Sequence, residues 1–104
     1  ARFQPTTLDI AWAAGIIEGE GSFSKNKYSQ KISVCQNGKW LLTRLRNLLG
    51  GSVGQFKQST KGFSKTRRIF EWRVSGGRSR GIAMTLYKFL SPRRKIQVRR
   101  MLGV

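Results

Sequence analysis

Apolar residues recur at helical spacing in the N-terminal part of the chain. Leu8, Trp12 and Ile16 follow one another every four residues. This spacing predicts a helix over residues 7–17, with one of the two preceding threonines as its N-cap. Glu18 then lies at the C-terminal end of that helix.

The pattern beyond the first helix predicts two antiparallel hairpins. The four strands are expected over residues 22–27, 31–36, 52–57 and 67–74. In the last strand Phe70, Trp72 and Val74 alternate with Glu71 and Arg73, which is the period of a half-buried strand. Cys35 is expected to be a structural residue of the second strand.

Two longer helices and a short basic segment complete the pattern. A leucine-rich helix is expected over residues 39–49, ended by Gly50-Gly51, and a further helix over residues 80–90. We expect Gly76-Gly77 to break the chain before that helix. The basic segment, residues 93–102, follows Ser91 as a cap and Pro92 at the first helical position. The element order, helix–strand–strand twice and then helix, predicts an α+β fold.

The charge balance of the chain is extreme. Lys and Arg number 21 against 4 acidic residues, so the formal net charge is +17 on 104 residues. A solvated surface alone needs far less charge, and a polyanion such as a nucleic acid is the natural partner. We expect no membrane partner, because no stretch approaches the ~20 apolar residues of a spanning helix.

The near absence of thiols and imidazoles limits the chemistry. The chain has one cysteine and no histidine, which excludes an intrachain disulfide, a zinc finger and a thiol–histidine pair. Catalysis would have to use carboxylates, basic side chains, amides, hydroxyls and a bound metal. This composition fits phage, bacterial and organellar (mitochondrial or chloroplast) settings alike, so the compartment stays open.

Two of the four acidic residues, Glu18 and Glu20, stand at the C-terminal end of the first helix. The helix macrodipole is negative there, so each carboxylate costs about 0.3–1 kcal/mol. Stability does not require acids at this place, whereas a divalent cation would. The carbonyl of Gly19, left free at the helix end, would be a further oxygen ligand.

Small residues form a stripe along the same helix. Ala11, Gly15 and Gly19 are four residues apart, and a glycine inside a helix costs about 1 kcal/mol relative to alanine. Such a stripe allows a second helix to approach closely. The alternative is that Gly19 merely ends the helix and Gly15 is incidental.

The stretch that combines these features reads Ala13-Ala14-Gly15-Ile16-Ile17-Glu18-Gly19-Glu20-Gly21-Ser22-Phe23. It resembles the signature of LAGLIDADG homing endonucleases, with Ala13 at a position where leucine is usual. The resemblance implies an α+β fold for residues 1–104 as one nucleic-acid-binding domain. In this αββαββα half, a four-stranded antiparallel sheet carries its helices on one face.

The resemblance also implies catalytic roles. The metal-binding acid of the family maps to Glu20, a polar residue at the end of the second strand maps to Gln36, and a basic residue maps to Lys95, with Arg94 as its rival. Strand parity places Gln36 on the side of Ile32, which does not favour an exposed role. With one motif per chain, the family's Mg²⁺-dependent, site-specific cleavage of a duplex would require a homodimer.

The sheet face free of helices is the family's groove for a duplex. The candidate nucleic-acid contacts are Lys25, Lys27, Lys31, Ser33, Gln55, Lys57, Arg67, Arg68 and Arg73. Ser33, Gln55 and Glu71 are the residues expected to reach base edges. Each single lysine is also compatible with a plain surface charge, but the whole set is not, because so few acids neutralise it.

A second interpretation keeps the fold without the cleavage. The charge is extreme even for a duplex binder, which favours an RNA-binding protein such as an organellar ribosomal component or an intron-splicing factor. Its sheet would then bind ribosomal or intron RNA through phosphates and shape, within a ribonucleoprotein. An intact Glu20 is compatible with both interpretations.

Overall fold

A computed structural model describes residues 5–26, 29–59 and 66–103, and residues 56–59 and 66–68 by their backbone alone. The elements are α1 (Thr7–Glu20), β1 (Gly21–Lys25), β2 (Gln30–Gln36), α2 (Trp40–Leu49), β3 (Ser52–Ser59), β4 (Thr66–Ser75), α3 (Gly76–Leu86), a 3₁₀ turn (Tyr87–Phe89) and α4 (Pro92–Leu102). The predicted α+β order is confirmed.

The four strands form one antiparallel sheet in the order β1-β2-β4-β3. Ile32 pairs with Val74 and Val34 with Trp72, and these four side chains are buried on the side that the helices cover. Ser33 pairs with Arg73 on the opposite side, which we call the open face. The strands β1 and β3 are the two edges of the sheet.

The core lies between the sheet and the helices. Its fully buried members include Ala13 and Ile17 from α1, Leu42 and Leu45 from α2, Leu86 from α3, and Val98 and Met101 from α4. Trp72 is fully buried at the centre, and its indole N–H donates to the carbonyl oxygen of Gly50 at 2.8 Å. Truncating such a tryptophan to alanine typically costs ~3–5 kcal/mol.

The turn between α2 and β3 depends on glycine, as the sequence predicts. Gly50 and Gly51 have φ angles of +80° and +92°. A Cβ at Gly51 would lie 2.7 Å from the carbonyl oxygen of Arg73. The backbone therefore reverses in two residues, and β3 starts directly against β4.

Both ends of α3 differ from the prediction. Gly76-Gly77 were expected to break the chain, but they form the first residues of α3. The φ of +69° at Gly76 lets the last strand pass into the helix without a loop. The Ser79 hydroxyl donates to the Gly76 carbonyl at 2.6 Å within that first turn. At its other end α3 stops at Leu86, and the 3₁₀ turn completes the segment.

The helix caps agree better with the prediction. Thr6 caps α1 through a capping box with Asp9, and Ser91 caps α4, with Pro92 in its first turn. The helix α1 extends beyond residue 17 to Glu20. Among the described helices, none combines the length and apolar character that a membrane crossing needs.

Candidate nucleic-acid interface

The two glutamates of the motif have different surroundings. The Glu18 carboxylate accepts hydrogen bonds from the Ser91 backbone N–H at 2.7 Å and from the Ser91 hydroxyl at 2.8 Å. The Ser91 N–H bond is the main reason that the pKa of Glu18 lies below its ordinary value, with the charge of Arg94 adding to the effect. Glu18 therefore joins the end of α1 to the start of α4.

Arg94 completes the same junction. Its side chain is buried, with Nε donating to the backbone carbonyl of Glu18 at 3.0 Å and Nη1 donating to Gln97 Oε1 at 2.8 Å. These contacts give Arg94 a structural task. The neighbouring Lys95 is not part of this network, and its ammonium lies 5.3 Å from the centre of the Tyr87 ring.

Glu20 is the last residue of α1, and it is exposed. The last turn of the helix leaves carbonyls, that of Gly19 among them, without a helical partner four residues on. Carboxylate and carbonyl oxygens are ligands that Mg²⁺ accepts. Within the described ranges, however, no group of three or more acidic, cysteine or histidine side chains could hold a metal.

Gln36 lies at the same end of the sheet as Glu20. Gly21, which follows Glu20, pairs with Val34, and Gln36 is two residues further along β2. Gln36 pairs with Phe70 and is half-buried on the helix-covered side, as its parity predicts. No hydrogen bond or ion pair among the described residues joins Glu20, Gln36 and Lys95, so their joint catalytic role remains a prediction.

The open face carries part of the predicted set. Lys31, Ser33 and Arg73 lie on it, whereas Arg67 is described by its backbone alone. Small residues surround them: Ser22, Ser24, Ser52 and Gly54 share this side of the sheet. The low relief would let a ligand approach the strands closely.

Glu71 is the acidic residue among these cations. Its carboxylate lies 3.6 Å from Lys31 Nζ and 4.0 Å from Arg73 Nη1. The exposed Cys35, in β2, donates weakly from Sγ to Glu71 Oε2 at 3.9 Å. Partial burial and the Glu71 charge raise the pKa of the Cys35 thiol. Glu71 therefore neutralises part of the positive charge of the open face.

Other predicted contacts do not lie on the open face. Lys25 pairs with Gln30 and Gln55 pairs with Phe70, and both pairs have the parity of the helix-covered side. The placement of Lys25 and Gln55 on the open face was wrong, because directly paired residues share a face and successive residues alternate. Lys57 and Arg68 are described by their backbone alone. Lys27 lies outside the described residues.

Lys25 has a definite position near α4. Its Nζ atom would lie 3.5 Å from a Cβ placed on Gly103, the C-cap of that helix. A cation is favourable at this end, where the helix macrodipole is negative. The side chain of Lys25 thus lies beside the C-terminal end of α4. The alternation of residues along β1 does not predict this neighbour.

The small-residue stripe faces away from the described part of the chain. A Cβ at Gly15 or at Gly19 would meet nothing within 4 Å, and both residues are exposed. Leu8, on the same side of α1, is 82% exposed. Ala11 is half-buried at the margin of this surface.

Sequence reasoning missed two arginines beside the sheet. Arg78 of α3 lines a cleft with Lys31 and Arg73 at one end of the open face. Arg100 of α4 lines a second cleft along β1. The candidate contacts were chosen from the predicted strands, whereas Arg78 and Arg100 lie in helices. In the sequence, only the high net charge indicated that such additional cations exist.

Comparison with solved structures identifies the fold. The chain is similar to the structure of the group I intron-encoded homing endonuclease I-CeuI complexed with DNA, with a TM-score of 0.58 and 15% sequence identity. The match covers 99% of this chain and 56% of the I-CeuI chain, so this chain spans little more than half of that protein. Comparisons with protein-family models and with curated protein sequences found no match. The chain has the LAGLIDADG-type fold, with the α+β architecture of one LAGLIDADG half.

Proposed function

We propose that this chain binds duplex nucleic acid on the open face and, as a homodimer, hydrolyses phosphodiester bonds with a divalent metal at Glu20. The observation that carries the proposal is the place of Glu20 in the fold. It is an exposed carboxylate at the end of α1, next to a sheet face that carries Lys31 and Arg73. The similarity to a DNA-bound homing endonuclease supports the nucleic-acid-binding part of the proposal.

Binding rests on the charge of the open face. Lys31 and Arg73 extend from its central strands, and Arg78 adds a third cation at one end. Lysine and arginine neutralise phosphates and release counterions, which supplies most of the affinity for a polyanion. Ser33 lies between the cations and would donate to a base edge or a phosphate. The net charge of +17 acts in the same direction at longer range.

The metal would be held by Glu20 and the free Gly19 carbonyl. Glu18 is unsuited to this task, because Ser91 already donates two hydrogen bonds to its carboxylate. A bound Mg²⁺ would supply the Lewis acidity that lowers the pKa of a water nucleophile and stabilises the leaving oxygen. Glu20 would orient that centre, while the cationic face fixes the phosphodiester in place.

A second copy would complete the ligand set. The described part of one chain contains no metal-binding cluster of three groups, and the exposed stripe of α1 has no partner within it. Two stripes packed together would bring two Glu20 carboxylates to one axis. A two-fold dimer would then recognise a roughly palindromic site.

The test compares Glu20→Gln with wild type on a randomised duplex library. We expect Glu20→Gln to lose Mg²⁺-dependent cleavage and to retain binding in Ca²⁺, because binding rests on the basic face. Asp9→Asn is the matched control, since it removes one carboxylate at the distant start of α1. Equal cleavage by wild type and Glu20→Gln would refute the catalytic assignment. If no form cleaves and tight RNA binding is retained, the non-catalytic RNA-binding interpretation replaces it.

A further inference from the structure

A polar cleft of about 290 Å³ lies between β1 and α4. Ser22 and Ser24 line it from the open face, and Lys25 lines it from the helix-covered side of the same strand. The helix α4 contributes Arg94, Gln97 and Arg100. Because β1 is an edge strand, the cleft continues the open face around the free edge of the sheet.

The residues lining the cleft carry three positive charges and no negative charge. The cations are Lys25, Arg94 and Arg100, and no acidic residue contributes to the walls. Glu18 does not line the cleft, but its carboxylate lies 3.9 Å from Arg94 Nε and partly compensates that charge, which leaves Lys25 and Arg100 as the uncompensated cations among the lining residues. Cations that share a small cleft repel one another, and an anion relieves this repulsion.

One of the three cations, Arg94, is also held in position. Arg94 is 8% exposed, and its bonds to the Glu18 carbonyl and to Gln97 fix its guanidinium at the cleft wall. The ammonium of Lys25 lies near the C-terminal end of α4, beside Gly103. Arg100 is exposed one turn before that end. An anion would therefore meet one fixed guanidinium beside two exposed cations.

We propose that this cleft binds a backbone phosphate of the nucleic acid that lies on the open face. The nucleic-acid strand would cross the edge of β1, past Ser22 and Ser24, and place one phosphodiester between Arg100 and Lys25. Arginine and hydroxyl donors are the usual partners of phosphate oxygens. The inference rests on the proposed binding function, and it adds a contact on α4, outside the sheet.

The test is the salt dependence of duplex binding by Arg100→Gln and Arg99→Gln. Both variants remove one positive charge from adjacent positions of α4. Arg99 lies on the other side of the helix, where it lines a groove with Met84 and Tyr87. The binding constant K falls as salt rises, and each phosphate contact adds about 0.9 to the steepness of log K against log salt. We expect Arg100→Gln to make this dependence less steep by about 0.9, and Arg99→Gln to leave it nearly unchanged.

Arg100→Lys keeps the charge, so its salt dependence should be nearly as steep as that of the wild type. Circular dichroism should show the same helix content for all forms, because Arg100 is exposed. Equal slopes for Arg100→Gln and Arg99→Gln, with normal binding by wild type, would overturn the cleft proposal alone. A wild-type chain that binds no duplex with salt-dependent affinity would overturn the proposed binding function, and the cleft proposal with it.

Discussion

The Glu18 carboxylate caps the N-terminus of α4 by accepting hydrogen bonds from both the backbone N–H and the hydroxyl of Ser91, at 2.7 Å and 2.8 Å. A carboxylate at the C-terminal end of α1 meets the negative end of one macrodipole. Through this contact it also meets the positive end of another. The position of Glu18 is thereby explained by structure, whereas no contact of this kind holds Glu20 among the described residues.

Glu18→Gln should destabilise the fold without changing the open face. Hydrogen bonds to a charged group contribute about 1.5–3 kcal/mol, and the amide can replace only part of that contribution. We expect the free energy of unfolding to fall by about 1–2 kcal/mol at neutral pH. Chemical denaturation of the wild type and the variant measures this difference.

The same contact predicts a pH dependence. The folded-state pKa of Glu18 is below its ordinary value of 4.5, so the stabilisation is fully present above pH 4.5 and is lost as pH falls through the lower folded-state pKa. The stabilities of the wild type and Glu18→Gln should therefore converge in acid. Ser91→Ala completes a double-mutant cycle for the hydroxyl bond, and additive effects of the two changes would contradict the bond between the Ser91 hydroxyl and the Glu18 carboxylate.

Gly15→Leu should dissociate the proposed homodimer. A Cβ at Gly15 meets nothing within the described chain, so the added bulk acts between molecules. Leucine also has a higher helix propensity than glycine by somewhat under 1 kcal/mol, so the monomer should not lose stability. Sedimentation velocity should show a dimer for the wild type and a monomer for the variant.

Gly81→Leu is the matched control for that change. Gly81 is exposed in α3, and a Cβ there also meets nothing within 4 Å. The same side chain is added to a different helix, so the dimer should persist. A wild-type chain that stays monomeric at high concentration without nucleic acid would refute the homodimer proposal.

Glu71→Gln should strengthen non-specific binding to a duplex. The change releases Lys31 and Arg73 from their ion pairs and removes the repulsion between Glu71 and phosphates. Exposed ion pairs contribute about 0–1 kcal/mol, so we expect a gain in affinity of up to about fivefold at low salt. Fluorescence anisotropy with a labelled duplex measures the gain. Asp9→Asn makes the same change in charge away from the open face, and an equal gain with that variant would contradict the assignment.

The sequence by itself determined the elements and the charge. Period-two alternation around Trp72 defines β4 because a strand exposes successive residues to opposite sides. Threonine, serine, proline and glycine near the helix ends define most of the caps because these interactions are local. The motif from Ala13 to Phe23 predicted the LAGLIDADG-type fold that the structural comparison supports. These features depend on neighbours within a few residues.

Only the tertiary structure decided which side chains serve which purpose. The motif already separates Glu20 from Glu18, but the partner that holds Glu18, Ser91, is 73 positions away along the chain. The sequence predicted Lys25 on the open face. The pairing register and α4 place it beside Gly103 instead. Arg94 and Lys95 differ in the same way, through contacts to other helices. Register and packing join residues that are distant along the chain, and hydrophobic periodicity contains no information about those distances.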